Sequence, residues 1–173
     1  MTTLAQHASP LARFNGASEE DAAAMISPCV ALPHWTASLV RGRPYASPGH
    51  LLDEADALAR GWSLDDLNLA LSAHPRIGEK ARGESKEAAL SRGEQAAVNA
   101  RDAALADALA AGNAAYEARF GRVFLIRASG RSGEEILSEL SRRMENDAEQ
   151  EAAEALDQLR QITLLRLEGA LHP

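Results

Sequence analysis

The sequence predicts an all-α protein folded as a single-domain helical bundle, and three observations carry that reading. Apolar residues recur at three- and four-residue spacing along almost the whole chain, and only Val123–Ala128 resembles a strand. The stretches between periodic runs are short and carry helix caps or prolines. A length of 173 residues suits one domain, residues 1–173, that buries roughly two-thirds of the surface of its unfolded chain, with residues 1–14 expected to fray.

Composition narrows the setting. The single cysteine, Cys29, excludes an internal disulfide and suits a reducing compartment, so the expected location is cytoplasmic. The segment Met1–His7 has neither a basic start nor an apolar core, and no apolar run approaches the ~20 residues of a membrane span. Leu171-His172-Pro173 is not a peroxisomal address. A net charge of −7 spread along the helices offers no basic stripe for a phosphate backbone. Neither a membrane nor a nucleic acid is an expected partner.

The elements follow in order. Ser18 caps a helix through Met25 whose first turn, Glu19-Glu20-Asp21, complements the positive end of the helix dipole. Pro28 ends it, and Pro33, Pro44 and Pro48 predict an irregular passage over 28–50 with short helical pieces. Leu51, Leu52, Ala55, Leu58 and Ala59 mark a helix that stops at Gly61. Ser63 opens another through Leu64, Leu67 and Leu71, which Pro75 terminates, leaving His74 at or just past its end. Residues 79–90 read as a solvated loop. Ser91 and Glu94 form a capping-box pattern opening an alanine-rich helix to about residue 111, with a second over 112–120 broken at Gly121. Val123–Ile126 reads as extended, leading to a turn at Ser129-Gly130. A helix then starts at Ser132 or Gly133 with Ile136, Leu137, Leu140 and Met144 as its stripe. The last runs from about Asp147 to Gly169 with Ala152, Leu156, Leu159, Ile162, Leu164 and Leu165 inward.

Polar chemistry is concentrated between His74 and Gln95. An imidazole with an ordinary pKa of ~6.5 exchanges protons near neutrality, and Pro75 fixes the turn that presents it. The same histidine could merely complement a helix C-terminus. Ser91 and Glu94 could simply cap a helix, but Gln95 adds an amide beside the carboxylate, and the set matches a ligand with several ureide N–H and C=O groups. A helix N-terminus also offers free amides, so capping and binding are compatible. Gly130-Arg131-Ser132-Gly133 resembles a phosphate turn without a Walker pattern. His7, His34, His50 and His172 show no metal-ligand spacing, so no metal site is expected. Cys29 reads as a small buried hydrophobe, and Trp35 and Trp62 as core anchors, with Trp35 beside His34 also placed to line a pocket.

Taken in order, these residues resemble the 2-oxo-4-hydroxy-4-carboxy-5-ureidoimidazoline (OHCU) decarboxylase family of urate degradation. The resemblance runs from Leu71–Gly78 through Ser91–Gln95 and Asn113–Gly121 to Val123–Ser132. It continues in Glu135-Ile136-Leu137, Leu140, Arg143 and Asn146 and closes on Ile162–Leu167, covering roughly residues 14–170. It implies an all-α bundle of the OHCU decarboxylase type, a homodimer, no cofactor, and a small-molecule ureide as substrate. By position it implies His74 as the catalytic histidine, with Pro75, Ser91, Glu94, Gln95, Ile126, Arg127, Ala128 and, nearer the end, Arg166 as substrate-binding residues. The chain departs from the family in three places. His-Pro-Arg-Ile-Gly replaces the commoner His-Pro-Asp-Leu-Ala, a bacterial-type variant; the stretch from Gln95 to Asn113 is short; and Leu32-Pro33-His34-Trp35 stands for Ser-Pro-Trp. These bear on pocket walls and substrate tolerance more than on the reaction.

The chemistry the resemblance implies agrees with these residue types. Loss of CO₂ from this substrate leaves electrons that its own C=N bond accepts. The protein must then orient the ureide, exclude water and deliver a proton to one face. An arginine clamp on the departing carboxylate would stabilise the ground state that must be destroyed, so binding through the ureido and ring amides is the better design. Two rival readings carry different expectations. Another ureide hydrolase or lyase would act on allantoin or 5-hydroxyisourate, and a helical interaction module would show an exposed apolar stripe.

Overall fold

A computed structural model of the chain describes residues 8–72, Leu90 and 103–171, which fall into two compact units. One runs through Trp62 and takes in Ile162 onward; the other is Ser63–Gln161. Among the described residues every regular element is helical, as the periodicity predicts.

In the first unit serines and prolines start the helices. These are α1 (Pro10–Gly16), α2 (Glu19–Ile26), a 3-10 turn (Ser27–Cys29), α3 (Pro33–Arg41) and α4 (Pro48–Ala59). Ser9, Ser18 and Ser47 each accept a backbone N–H of the following turn, from Ala12, Asp21 and His50, all at 3.1 Å. Helix α1 overlaps the stretch 1–14 expected to fray, and it is ordered over 10–14 because Ser9 caps it and Leu11 and Phe14 are buried. The irregular passage expected over 28–50 is likewise more ordered. Pro33 and Pro48 occupy first-turn positions, where a missing N–H costs nothing and the fixed φ suits a helix, so they begin helices instead of breaking them.

The core of this unit holds Phe14, Ile26, Leu32, Trp35, Leu39 and Leu51. Trp35 donates from Nε1 to the Ala55 carbonyl at 3.3 Å and meets Trp62 edge-on with centroids 6.4 Å apart, so both tryptophans anchor packing as expected. Cys29 is buried beside Val30 in sequence. After α3 the chain turns through a cis Arg43–Pro44 bond. Arg43 donates to the carbonyls of Val40 (2.9 Å), Phe14 (2.8 Å) and Ala17 (2.6 Å), while the Tyr45 hydroxyl donates to the Leu39 carbonyl at 2.7 Å. A side chain at Gly42 would collide with that hydroxyl.

The second unit contains α5 (Leu64–Leu71), α6 (Ala103–Phe120), α7 (Gly133–Arg143) and the first part of α8 (Ala148–Ala170). Ser63 and Asp66 form a full capping box: the Asp66 N–H donates to Ser63 Oγ at 3.2 Å and the Ser63 N–H to Asp66 Oδ2 at 2.9 Å. The core joins Leu109, Tyr116, Phe124, Ile126, Ala128, Ile136 and Leu140, with Tyr116 packed 4.8 Å from the Phe120 ring and 5.1 Å from Phe124.

Two expectations change here. Helix α6 runs unbroken through residue 112, where a break was expected, because the surrounding alanines carry the helix past one glycine. A Cβ on Gly112 would stand 2.9 Å from Leu140 Cδ2, so the glycine makes room for α7. In α8, Leu159 and Ile162 are buried as predicted, but Leu165 is exposed and Ala152, Leu156 and Leu164 are only partly buried. The buried line is instead Glu151, Ala155, Leu159, Ile162, Thr163, Arg166 and Leu167. Polar side chains with partners take inward positions there, which turns the stripe away from the apolar count.

Candidate active site

The connection between α6 and α7 carries three of the four predicted binding residues that can be placed, Ile126, Arg127 and Ala128; the fourth, Arg166, is on α8. Gly121, at φ +72°, ends α6 with its N–H donating to the Glu117 carbonyl at 2.9 Å. The chain then passes through Phe124, Leu125, Ile126 and Ala128, all buried, without forming a strand. It turns at Ser129-Gly130, where Gly130 has φ +79° and the Arg131 N–H donates to the Ala128 carbonyl at 3.1 Å. Ser132 caps α7 by accepting the Glu135 N–H at 3.1 Å. The phosphate-like Gly130–Gly133 sequence thus has a local structural role as a turn and cap.

Side chains from α7 and α8 hold this segment. Arg143 donates to the Leu125 carbonyl at 2.6 Å and, through Nε at 2.8 Å and a second terminal nitrogen, to Glu151 Oε1. Arg143 is 1% and Glu151 0% exposed, so this is a fully buried ion pair. The Tyr116 hydroxyl donates to the same carboxylate oxygen at 2.6 Å, and Asn146 Nδ2 donates to Oε2 at 3.0 Å and to Glu154. The Arg143 guanidinium lies 4.6 Å from the Phe124 ring centroid. Burial, the hydrogen bond to Glu151 and the carboxylate charge push the Tyr116 hydroxyl far above its ordinary pKa, so it remains a donor. On the far side of Ile126, the Arg127 N–H donates to Gln158 Oε1 at 2.9 Å. Among the described residues the Ile126 N–H and C=O and the Ala128 N–H have no hydrogen-bond partner.

Arg166 sits in the other unit. It is buried, and one guanidinium nitrogen lies 3.5 Å from the Pro28 carbonyl and 3.4 Å from that of Cys29, which ties α8 to the 3-10 turn. His74, Pro75, Ser91, Glu94 and Gln95 lie outside the described residues, as do His7, His172 and residues 79–89 of the expected loop; its last residue, Leu90, is helical and exposed. No group of three His, Cys, Asp or Glu side chains with metal-binding geometry occurs among the described residues. No described helix is long and apolar enough to cross a membrane.

The arrangement has the fold of a small all-α enzyme. It superposes on a crystal structure of OHCU decarboxylase solved in the presence of (S)-allantoin with a TM-score of 0.71 at 24% identity, covering 88% of this chain and 97% of that one. A crystal structure of (S)-allantoin synthase gives 0.69 at 17% identity over 93% of this chain and 53% of that longer one. These likenesses are of fold. The family model described as OHCU decarboxylase matches residues 15–168, through both units. A curated 2-oxo-4-hydroxy-4-carboxy-5-ureidoimidazoline decarboxylase from Amia calva is 34% identical over 154 residues, 83% of this chain and 81% of that relative. The chain belongs to the OHCU decarboxylase family. It is therefore an enzyme of the carboxy-lyase class.

Gln158, Tyr116, Arg143 and Glu151 were given no role from sequence. A signal existed for two of them: Arg143 follows Ile136 and Leu140 on the apolar face of α7, and Glu151 precedes Ala155 and Leu159 on that of α8. A charge at an apolar register on each of two successive helices points to a buried pair.

Proposed function

We propose that this chain converts OHCU to (S)-allantoin with release of CO₂, as a step of urate degradation, and that His74 is its acid/base. The observation that carries the reading is the family match over residues 15–168. A specific feature of the fold supports it: Ile126 and Ala128 are buried in an apolar core and keep backbone amide groups without a partner among the described residues. A ureide is a chain of N–H and C=O groups, and such a backbone edge is complementary to it.

In this reading Ser91, Glu94 and Gln95 bind ureido and ring amides together with Ile126, Arg127 and Ala128, and Pro75 contacts the substrate. Arg166 supports binding from the end of the chain. The carboxylate is left weakly solvated and free to depart, since binding energy placed on it would favour the ground state. Electrons from the broken C–C bond flow into the substrate's own C=N bond. His74 takes the proton of the substrate hydroxyl and returns one to a single face of the ring. The substrate carries its own electron sink, so the proposed reaction uses no cofactor. A homodimer in the cytoplasm, acting as one functional domain, completes the proposal.

The test is His74→Asn, which keeps size and hydrogen-bonding capacity while removing the titratable nitrogen. Far-ultraviolet circular dichroism should match the wild type, and kcat should fall by about a hundredfold or more, the range for loss of an acid/base. Turnover close to wild type in the folded variant would reject the role of His74.

A further inference from the structure

The Leu125–Arg127 backbone is held at two points by side chains of different helices, and both points flank Ile126. Arg143, on α7, takes the Leu125 carbonyl at 2.6 Å, and Gln158, on α8, takes the Arg127 N–H at 2.9 Å. The peptides on either side of Ile126 are trans, and across a trans peptide the C=O and the following N–H point in opposite directions. The Ile126 N–H therefore points away from the held Leu125 carbonyl, and the Ile126 C=O points away from the held Arg127 N–H. Both are without a protein partner among the described residues, in a residue of 3% exposure. A buried donor–acceptor pair of this kind calls for a ligand or water to complete it.

We propose that Gln158 and the buried Arg143–Glu151 pair are positioning residues for substrate binding: they clamp the segment from behind so that Ile126 presents a paired donor and acceptor to the ureide. The proposal rests on the reading that Ile126–Ala128 binds substrate. Arg143 is suited to the task because Glu151 engages its Nε and one terminal nitrogen, which fixes the guanidinium plane and aims the remaining nitrogen at Leu125. Tyr116 and Asn146 fix Glu151 in turn. Gln158 acts alone and is only partly buried, so it can be changed without stranding a charge.

The experiment compares wild type, Gln158→Leu and Gln158→Glu by steady-state kinetics on freshly generated OHCU and by amide hydrogen exchange at Arg127. Gln158→Leu removes the acceptor; KM should rise about three- to tenfold, the worth of one hydrogen bond, with kcat within about twofold. Exchange at Arg127 should quicken. Gln158→Glu restores an acceptor oxygen and should return KM and Arg127 protection toward wild type. A Gln158→Leu enzyme with an unprotected Arg127 amide and a wild-type KM would overturn the proposal, as would Gln158→Glu behaving like Gln158→Leu. Should Gln158→Leu fail to fold, Gln158→Ala gives the same comparison. A wild-type protein that does not accelerate OHCU loss would defeat the functional reading instead, and exchange at Arg127 would still report whether Gln158 holds the segment.

Discussion

Replacing Glu151 with leucine tests whether the buried pair holds the second unit together. The carboxylate is fully buried and receives Arg143 twice, Tyr116 at 2.6 Å and Asn146 at 3.0 Å. Its removal leaves a guanidinium of 1% exposure without a counter-charge. Breaking a buried pair from one side costs about 3–5 kcal/mol, and the stranded Tyr116 hydroxyl contributes up to about 1–3 kcal/mol to the same disruption, not additively. For a chain of this length about 4 kcal/mol corresponds to a Tm lower by about 8–16 °C. That is a large share of a typical stability of about 5–15 kcal/mol. Urea unfolding should be followed by far-ultraviolet circular dichroism, because Trp35 and Trp62 both lie in the first unit and report on it. The double variant Arg143→Met with Glu151→Leu removes both charges and should recover part of the loss, since apolar replacements of buried pairs are often tolerated. A Glu151→Leu cost below about 1 kcal/mol, or a double variant weaker than the single one, would refute the reasoning.

Three further outcomes follow from the same structure. Burial pushes Tyr45 and Tyr116, the only two tyrosines, above the ordinary value of about 10, so the folded chain keeps protons that the unfolded chain releases. Their contribution to stability is complete below pH ~10 and is lost as pH rises above it; phenolate absorbance should appear together with alkaline unfolding, and its appearance in the folded protein at pH ~10 would contradict the burial argument. Gly121→Ala forces a Cβ into left-handed backbone at the end of α6 and should cost about 1–2 kcal/mol in urea unfolding, whereas an unchanged midpoint would show that the turn relaxes freely. Arg142 pairs with Glu139 and Glu154 on the surface at 2.8 Å each, but all three side chains are a third exposed or more; Arg142→Ala should cost under about 1 kcal/mol, and less in high salt. A loss comparable to that of Glu151→Leu would mean that burial does not separate the two adjacent arginines.

Much of the fold is legible because it is carried by short-range signals. Ser18, Ser63 and Ser132 cap the helices assigned to them, the chain turns at Gly121 and Gly130 as expected, and of the α7 stripe Ile136 and Leu140 are buried while Leu137 and Met144 pack against the core partly buried. The errors arise where a local rule has two outcomes. Proline both ends and begins helices, and Pro33 and Pro48 do the latter because their predecessors are extended. Gly112 weakens a helix in isolation but here admits Leu140.

The site is legible in a different way. Ile126, Arg127 and Ala128 can be assigned from the family pattern, but what holds them cannot, since Arg143 and Gln158 lie 18 and 31 residues away from their backbone partners. Arg142 and Arg143 are adjacent and chemically identical, yet one is on the surface and the other carries the buried network. Only their register on α7 separates them.

The central claim is enzymatic decarboxylation with stereochemical control. The direct measurement is the circular dichroism of allantoin formed from freshly generated OHCU, with wild-type protein and with His74→Asn at equal concentration. Rapid appearance of (S)-allantoin with wild type alone is the predicted result. Racemic product at the spontaneous rate in the presence of folded wild-type protein would contradict the account.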